Sequence, residues 1–371
     1  MTSNNSVVLH SQRAGAAIKT AFVADSLAMP VHWYYRRADI ENNFPGGVRD
    51  LQAAPDSHPS SVMSLHSTRQ GGRANNYSAE PGRDVVGDLI LKGRRRFWNV
   101  NNMHYHQGMV AGDNTLNAHC ARVLMRTINS NQGQYNKLLF LDDYIGFMTA
   151  DPPAHADTYA ESSHRGFFAN LQRGLPPQRC AAVTHDTASI GGLVSIGPLA
   201  IALLRNGHTL SSAQNHCRVH MFLSHPDPHM ASISDSYVKL IDRLLTREDD
   251  QNVITLLEET AAESAGFRLQ NLLDKKLDDY EVVGLRYSTA CYIEGAWPSV
   301  LYLAAKYASD TRAGLIANTN AGGDNVHRGF VLGILYGLIS GQTQDDWFQR
   351  LIASEALEQE ISILVSAGHQ N

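Results

Sequence analysis

Three short motifs place a carboxylate at the edge of an apolar helical segment. They are Asp25-Ser26-Leu27-Ala28-Met29-Pro30-Val31-His32, Gly112-Asp113-Asn114-Thr115 and Gly323-Asp324-Asn325. Hard cations such as Mg²⁺ bind oxygen ligands that are gathered from distant segments, so three acids at three helix ends could converge on one site. They could equally be three independent helix caps, because aspartate accepts hydrogen bonds from the free N–H groups of a first turn.

The third motif is followed by glycines at four-residue spacing. Gly322 and Gly323 form a flexible turn, and Gly329, Gly333 and Gly337 then recur along one face of the predicted helix. A glycine face allows a second backbone to approach closely. We therefore expect the carboxylate at the tip of this helix to be held inside a packed assembly, where it can bind a metal or a polar ligand. The structural alternative is that it only caps the helix.

Histidines form the other groups of chemical interest, and their total of 17 is high for this length. His185 precedes a glycine-bearing segment that contains Gly191, and His225 lies in Ser224-His225-Pro226-Asp227-Pro228 at the end of a predicted helix. Histidines in such loops more often make hydrogen bonds than act in catalysis, although acid–base or metal chemistry is open to them. His104-Tyr105-His106, with His119 nearby, matches no standard metal spacing.

Composition limits the classes of partner. Charged residues make up 18% of the chain and the net charge is −5, so no basic surface is expected for nucleic acid or for an anionic membrane. A small or polar ligand fits better. The four cysteines are widely separated, which argues against a disulfide framework or a zinc ribbon and favours a reducing compartment, the cytoplasm. The first ten residues lack the pattern of a signal peptide, and no apolar run is long enough to cross a bilayer.

Helical periodicity dominates the elements that must position these groups. An apolar stripe that starts at Ala14 includes Asp25 and ends before Pro30, and a second helix is predicted from Asp113 to Ile128. Further helices are predicted at Ile190–Arg205, Ser212–Leu223, Met230–Leu245, Val253–Phe267, Pro298–Ala308, Asn325–Ile339 and Asp345–Val365. Strand-like alternation is nearly absent. The predicted class is all-α, a compact multi-helix bundle, and the 371 residues, 43% of them hydrophobic, show no linker and predict a single domain over 1–371.

Two polar stretches interrupt this pattern. Ala53 to Arg83 is too long for an ordinary connection and predicts either a functional lid or a mobile loop. Asp151 to Arg179 contains two Pro-Pro pairs and predicts a loop-rich connection across one end of the bundle.

The order and spacing of the motifs from about Ala14 to Gly341 resemble the ADP-ribosylglycohydrolase family, most closely in character its J1-crystallin-like branch. No single motif is decisive. The resemblance implies an all-α orthogonal bundle that hydrolyses the bond between ADP-ribose and an acceptor, usually with two Mg²⁺ ions. It also implies that the site residues include Asp25, Gly191, His225, Gly322 and Gly323 as substrate-binding positions, and Asp113, Asn114 and Asp324 as metal-binding positions.

This chain departs from the family pattern at several of these positions. His32 stands where the family has a glutamate that positions water, and Asn114 replaces one aspartate of a Thr-Asp-Asp-Thr motif. In the last motif the second aspartate is Val326, followed by His327, and a Gly-Asn-Gly motif stands as Ser189-Ile190-Gly191. Because two carboxylates are missing, at most one tight Mg²⁺ site is expected.

Two functional hypotheses follow from the sequence. The first is a hydrolase that cleaves a glycosidic bond to ADP-ribose or a related nucleotide-sugar, with Asp113, Asp324 and His32 as catalytic residues and His327 near the substrate. The imidazoles could bind one transition metal or support metal-free acid–base hydrolysis. The second hypothesis is a degenerate, non-enzymatic ligand-binding or crystallin-like structural protein. Under both hypotheses the expected partner of the protein is a small molecule or an ADP-ribosylated substrate. The sequence does not indicate the oligomeric state.

Overall fold

Fifteen α-helices make up most of the described part of the chain, which comprises residues 2–61, 63 and 84–366 in a computed structural model. They are α1 Thr2–Ala28, α2 Arg37–Asn43, α3 Leu116–Ser130, α4 Lys137–Thr149, α5 Ser162–Gln172, α6 Ile196–Arg205, α7 Leu210–Met221, α8 Pro228–Thr246, α9 Val253–Ala265, α10 Leu269–Leu273, α11 Ile293–Lys306, α12 Thr311–Ala321, α13 Asn325–Ser340, α14 Asp345–Phe348 and α15 Ser354–Ser366. Within those described ranges there is no β-strand, and only two isolated β-bridges occur. The all-α prediction is therefore confirmed.

Helix α13 lies at the centre of the bundle and packs on α1 through the glycine face. Every residue of α13 from Asn325 to Ile339 is buried. A Cβ atom added to Gly333 would lie 2.7 Å from Cα of Ala21, and one added to Gly329 would lie 3.3 Å from the carbonyl oxygen of Ala24. The two helices run antiparallel, because the contacts move back along α1 as they move forward along α13. The end of α1, with Asp25, thus lies beside the start of α13.

Several predicted helix boundaries differ from the structure for identifiable reasons. The predicted helix Ile190–Arg205 is divided into a 3₁₀ turn, Ile190–Leu193, and α6, and the turn contains Gly191 and Gly192. Helix α11 begins at Ile293, five residues before the predicted start, and accommodates Pro298 in its interior. The segment predicted as one helix from Asp345 to Val365 is two helices, α14 and α15.

The two predicted loops have different outcomes. Asp151–Arg179 is not a loop throughout, since it contains all of α5. In Ala53–Arg83 the residues 62 and 64–83 lie outside the described residues, and 53–61 form no helix or strand. A single hydrophobic core cluster includes residues from Ala14 to Val365, while the division of the chain into domains stays a prediction. Among the described helices, none combines the length and apolar character that crossing a membrane requires.

Candidate active site

The turn before α13 places Asp324 against two other segments of the chain. Gly322 and Gly323 have φ angles of +69° and +63°, which side chains other than glycine rarely adopt. The backbone of Gly323 donates to the Tyr34 carbonyl at 2.7 Å and accepts from the N–H of Trp33 at 2.8 Å, and the N–H of Asp324 donates to the Thr289 carbonyl at 2.8 Å. A Cβ atom at either glycine would collide with these backbones. Both glycines thus shape the site through their backbone.

Two imidazoles contact the same oxygen of Asp324. His32 Nε2 lies 3.1 Å from Asp324 Oδ1, and His327 Nδ1 lies 2.7 Å from it. All three side chains are at least 97% buried, with exposures of 1%, 0% and 3% for His32, Asp324 and His327. Asp324 makes no capping hydrogen bond to the first turn of α13, and its Oδ2 is buried without any hydrogen-bond partner. The side chain is therefore more than a helix cap.

Glu161 approaches the same ring nitrogen of His327 that contacts Asp324. Its Oε1 is 3.5 Å from His327 Nδ1, and its Oε2 accepts a hydrogen bond of 2.7 Å from Asn117 Nδ2. Gly191 makes room for this carboxylate, because a Cβ atom there would lie 2.7 Å from Glu161 Oε2. Asn117 is held in turn by His164, whose Nε2 lies 2.8 Å from Asn117 Oδ1. The predicted substrate-binding position Gly191 thus contacts a carboxylate that the sequence analysis did not identify.

A second chain of hydrogen bonds reaches His32 from behind. His32 Nδ1 lies 2.7 Å from His106 Nε2, and His106 Nδ1 lies 2.8 Å from Asp157 Oδ1. Asp157 is fixed by the backbone N–H groups of Leu116 at 2.7 Å and Tyr159 at 3.0 Å. The side chains of His32, His106 and Asp157 are each 1% exposed. The orientation of His32 is thus set by buried partners on both ring nitrogens.

His104 and His58 hold the backbone that carries His32. His104 Nε2 donates to the Pro30 carbonyl at 3.1 Å, and His58 Nε2 donates to the His32 carbonyl at 2.9 Å. The Nδ1 atoms of both rings accept from backbone N–H groups, so both histidines are fully engaged. Neither they nor His119 belong to a potential metal group within the described residues.

The first two carboxylate motifs meet, but through an amide and a hydroxyl. Asp25 accepts from Asn114 Nδ2 at 2.8 Å, from the N–H of Thr115 at 2.9 Å and from Thr115 Oγ1 at 2.6 Å. Asn114 Nδ2 also donates to the Phe22 carbonyl. Asp113 lies apart from this group: it is partly exposed, and its Oδ2 accepts from the N–H of Val110 at 2.9 Å. The structure therefore brings Asp25 and Asn114 together, near enough to His327 for the Asp25 charge to raise the pKa of that imidazole, and the Asp113 carboxylate makes no hydrogen bond to either of them.

Burial and opposite charges set the pKa values of the cluster. Burial alone would raise the pKa of Asp324, but the charge of His327 and hydrogen bonds from His32 and His327 hold it well below its usual range. Burial would lower the pKa of His327, yet Asp324 and Glu161 raise it to about 10. Burial raises the pKa of Glu161, and the Asp324 charge adds to this effect. Burial lowers the pKa of His32 to about 3, against the hydrogen bond to Asp324.

The space on either side of the cluster differs in character. A cavity of about 50 Å³ lies on the Gly191 side, among Asn117, Tyr144, His164 and His225. That volume holds a few water molecules, far less than the several hundred Å³ that a nucleotide requires. On the other side, Trp33 stacks on His32 with 4.7 Å between ring centroids, and its indole Nε1 is buried without a hydrogen-bond partner. Tyr35, 41% exposed, lies beyond Trp33.

Comparisons with known proteins agree with this arrangement. The sequence profile of the family described as ADP-ribosylglycohydrolase matches residues 8–370. The chain belongs to the ADP-ribosylglycohydrolase family. Among solved structures it is similar to one titled "ADP-ribosylglycohydrolase-related protein complex", with a TM-score of 0.60 and 15% identity over 97% of this chain and 99% of that chain. At this identity the likeness shows the fold alone. No curated protein sequence matches the chain.

Because the chain belongs to the ADP-ribosylglycohydrolase family, the residues at which it differs from the family's motifs are informative. The family is typically metal-dependent, and the described residues contain one buried group able to hold a metal ion: His32, Asp324 and His327. Two of these three are residues that replace the family pattern. Sequence reasoning missed Glu161 and Asp157, and it considered His106 only as part of a separate group with His104 and His119. Asp157 and Glu161 lie in the irregular segment just before α5, where no local periodicity marks them.

Proposed function

We propose that this chain hydrolyses a glycosidic bond to ADP-ribose or a related nucleotide-sugar at the site formed by Asp324 and Glu161. The observation that carries the proposal is the free oxygen of Asp324: Oδ2 is fully buried and has no hydrogen-bond partner. A buried polar atom normally has a partner, so an unpaired carboxylate oxygen in a family site indicates a place for a ligand. Family membership supplies the substrate class.

Two carboxyl groups that face the same imidazole nitrogen, Nδ1 of His327, suit this reaction. Cleavage of a glycosidic bond passes through an oxocarbenium-like transition state, which a nearby carboxylate stabilises. Asp324, held by His32 and His327, supplies that negative charge in our proposal. Glu161, with 8% exposure, is the group placed to carry a proton between water and the leaving group. In the net reaction, water adds its hydroxyl to the anomeric carbon, the bond to the acceptor breaks, and the remaining proton goes to the acceptor.

The aromatic side of the cluster supports a nucleotide-type ligand. The ring centroid of Trp33 lies 6.1 Å from that of Tyr35 and 6.2 Å from that of Tyr105. Such rings stack on a purine base, and the unpaired indole N–H of Trp33 is available as a donor. The proposed partner is thus a small molecule or an ADP-ribosylated substrate, without nucleic acid or membrane. The four free, buried cysteines suit the cytoplasm, where we place the protein as part of this proposal.

The test is release of ADP-ribose from ADP-ribosylated arginine, ADP-ribosylated serine and O-acetyl-ADP-ribose, with Mg²⁺, Mn²⁺ or Zn²⁺ added separately. Asp324→Asn and Glu161→Gln should each lower turnover by about 100-fold or more, because each removes one of the two carboxyl groups. Asp142→Asn is the matched control, since Asp142 is an exposed aspartate on α4. Equal turnover in wild type and both site variants would remove these carboxyls from the mechanism.

A non-enzymatic ligand-binding or crystallin-like role is the second candidate. It is favoured by Asp25, whose carboxylate is occupied by three internal donors, and by Val326, a fully buried apolar residue where the family has an aspartate. If no substrate is cleaved under any condition, calorimetric titration with ADP-ribose separates the remaining cases. Saturable binding that Trp33→Phe weakens would support a binding protein, and absence of binding would support a structural one.

A further inference from the structure

The donor atoms at this site do not suit the pair of Mg²⁺ ions that the family resemblance implies. Mg²⁺ requires several oxygen ligands in near-octahedral geometry. Here the oxygens of Asp25 accept three internal hydrogen bonds, and the amide of Asn114 points its donor, not its oxygen, at Asp25. Val326 offers no ligand, and one oxygen of Asp113, Oδ2, already accepts a hydrogen bond from Val110 N–H. The oxygen set for two hard cations is therefore missing.

A different donor set is present a short distance away. The ligand atoms of His32, Asp324 and His327 all lie within 4.8 Å of one another. Asp324 Oδ2 and His327 Nδ1 are both buried without an aligned hydrogen bond, even though His327 Nδ1 is 2.7 Å from the other oxygen of Asp324. Asp324 Oδ2, which has no partner at all, is the second, independent indication of a ligand. Two imidazole nitrogens and one carboxylate are donors that borderline metals such as Zn²⁺ and Co²⁺ accept.

The hydrogen bonds behind His32 are also those of a metal ligand. A histidine that binds a metal usually donates its other ring N–H to a fixed acceptor. Here His32 Nδ1 faces His106 Nε2 at 2.7 Å, and His106 Nδ1 faces Asp157 at 2.8 Å. With a metal on His32 Nε2, the N–H at His32 Nδ1 donates to His106 Nε2. The N–H at His106 Nδ1 then donates to Asp157, so each ring carries one N–H and each N–H has an acceptor. Without a metal, His32 Nε2–H must donate to Asp324, and the two facing nitrogens then need one extra proton between them.

We propose that His32 Nε2, His327 Nδ1 and Asp324 bind one borderline divalent transition metal, and that His106 and Asp157 position His32 for it. Glu161, with Oε1 at 3.5 Å from His327 Nδ1, is available as a fourth ligand. This inference concerns metal binding and does not require that a glycosidic bond be cleaved.

The first experiment is titration of the chelator-treated full chain, without substrate, by Zn²⁺, Mg²⁺ and Co²⁺. Calorimetry should give one Zn²⁺ per chain, bound at least about 100-fold more tightly than Mg²⁺. Co²⁺ should give a visible absorption band that one equivalent of Zn²⁺ removes. Two equivalent Mg²⁺ sites, or Mg²⁺ binding as tight as Zn²⁺ binding, would overturn the inference.

Variants separate this site from the family position and from surface histidines. His327→Gln should abolish the tight site, and Asp157→Asn should weaken it about 10- to 100-fold while one metal still binds. Asp113→Asn, which alters the carboxylate of the family motif, and His208→Gln, which alters a histidine in the connection between α6 and α7, should leave affinity unchanged. Loss of the tight site in Asp113→Asn but not in His327→Gln would refute our assignment. Thermal melting identifies any variant that fails to fold, and His32→Gln then replaces His327→Gln as the deciding variant.

The two proposals fail in different ways. ADP-ribose release that survives full removal of metal, in a chain that binds no Zn²⁺, would refute the metal site and leave the hydrolase intact. Stoichiometric Zn²⁺ binding without release of any substrate would refute the hydrolase and leave the metal site intact.

Discussion

Replacing Gly191 with alanine tests whether the position of Glu161 matters, without removing any chemical group. A Cβ atom at Gly191 would lie 2.7 Å from Glu161 Oε2 and 3.3 Å from Asn117 Nδ2. Ordinary contact begins near 3.4 Å, so the carboxylate must move by about 0.7 Å. That movement stretches the 2.7 Å hydrogen bond from Asn117 and shifts the carboxylate relative to His327.

The expected loss follows from this displacement. A misplacement of about 1 Å can cost about 100-fold in rate, so we expect Gly191→Ala to lower kcat about 10- to 100-fold, or about 1.4 to 2.7 kcal/mol of barrier. Crowding of a packed interior should also lower the free energy of unfolding by about 1 to 3 kcal/mol. The assays are ADP-ribose release under saturating substrate and denaturant unfolding at the same pH.

Gly197→Ala is the matched control. Its added Cβ atom would lie 2.7 Å from Ile334 Cγ1 and 2.9 Å from the Tyr237 hydroxyl, so the steric demand is similar. None of those neighbours belongs to the site. Gly197→Ala should therefore lose stability but keep kcat within a few-fold of wild type. Our reasoning would be refuted if Gly191→Ala kept full kcat, or if both variants lost kcat to the same extent.

Two further predictions concern stability. Burial lowers the pKa of His155 and of His220 to about 3, against an ordinary value of 6.5, so both are uncharged in the folded state near neutral pH. Below pH 6.5 only the unfolded chain gains these protons, so the free energy of unfolding should fall from pH 7 to pH 5 by about 2 kcal/mol per histidine. Urea unfolding at both pH values measures this fall, and His220→Gln should reduce it by that amount. An unchanged fall in His220→Gln would show that His220 is charged in the folded state. Asp324→Asn should lower the free energy of unfolding at pH 7 by about 3 kcal/mol or more, because it breaks a buried pair with His327. A loss of only a few tenths would instead indicate a simple cap.

Local patterns in the sequence predicted the contacts that depend on helical periodicity. The spacing of Gly329, Gly333 and Gly337 predicted a close approach by another backbone, and α1 supplies it. The position of Asp25 on the apolar stripe predicted its burial, and it is 1% exposed. Both predictions succeed because one helical face is set by residues three and four apart, which a single sequence displays.

Other parts of the site depend on contacts that no local pattern records. Glu161 reaches His327 across 166 positions of chain, and His106 reaches His32 across 74. Helix α5 was not predicted because proline pairs border its segment, although the helix itself contains none. The role of Asp113 was assigned by motif position and stays a prediction, and the hydrogen bond from Val110 N–H to its Oδ2 is a local contact that the motif did not indicate. The catalytic and metal roles of the site residues stay predictions until the variants above are measured.

Arg328 connects the turn that shapes the site with the charge that the site requires. Its Nε donates to Asn318 Oδ1 at 2.8 Å and its Nη2 donates to the Gly322 carbonyl at 2.9 Å, so this side chain braces the turn that presents Asp324. Burial lowers the pKa of Arg328 to about 10, and the nearby Asp324 charge opposes that effect. A fully buried guanidinium is costly unless a negative charge lies close by. Asp324 therefore compensates a structural cation as well as the His327 imidazolium, which explains how a carboxylate that caps nothing can stay ionised at the centre of the bundle.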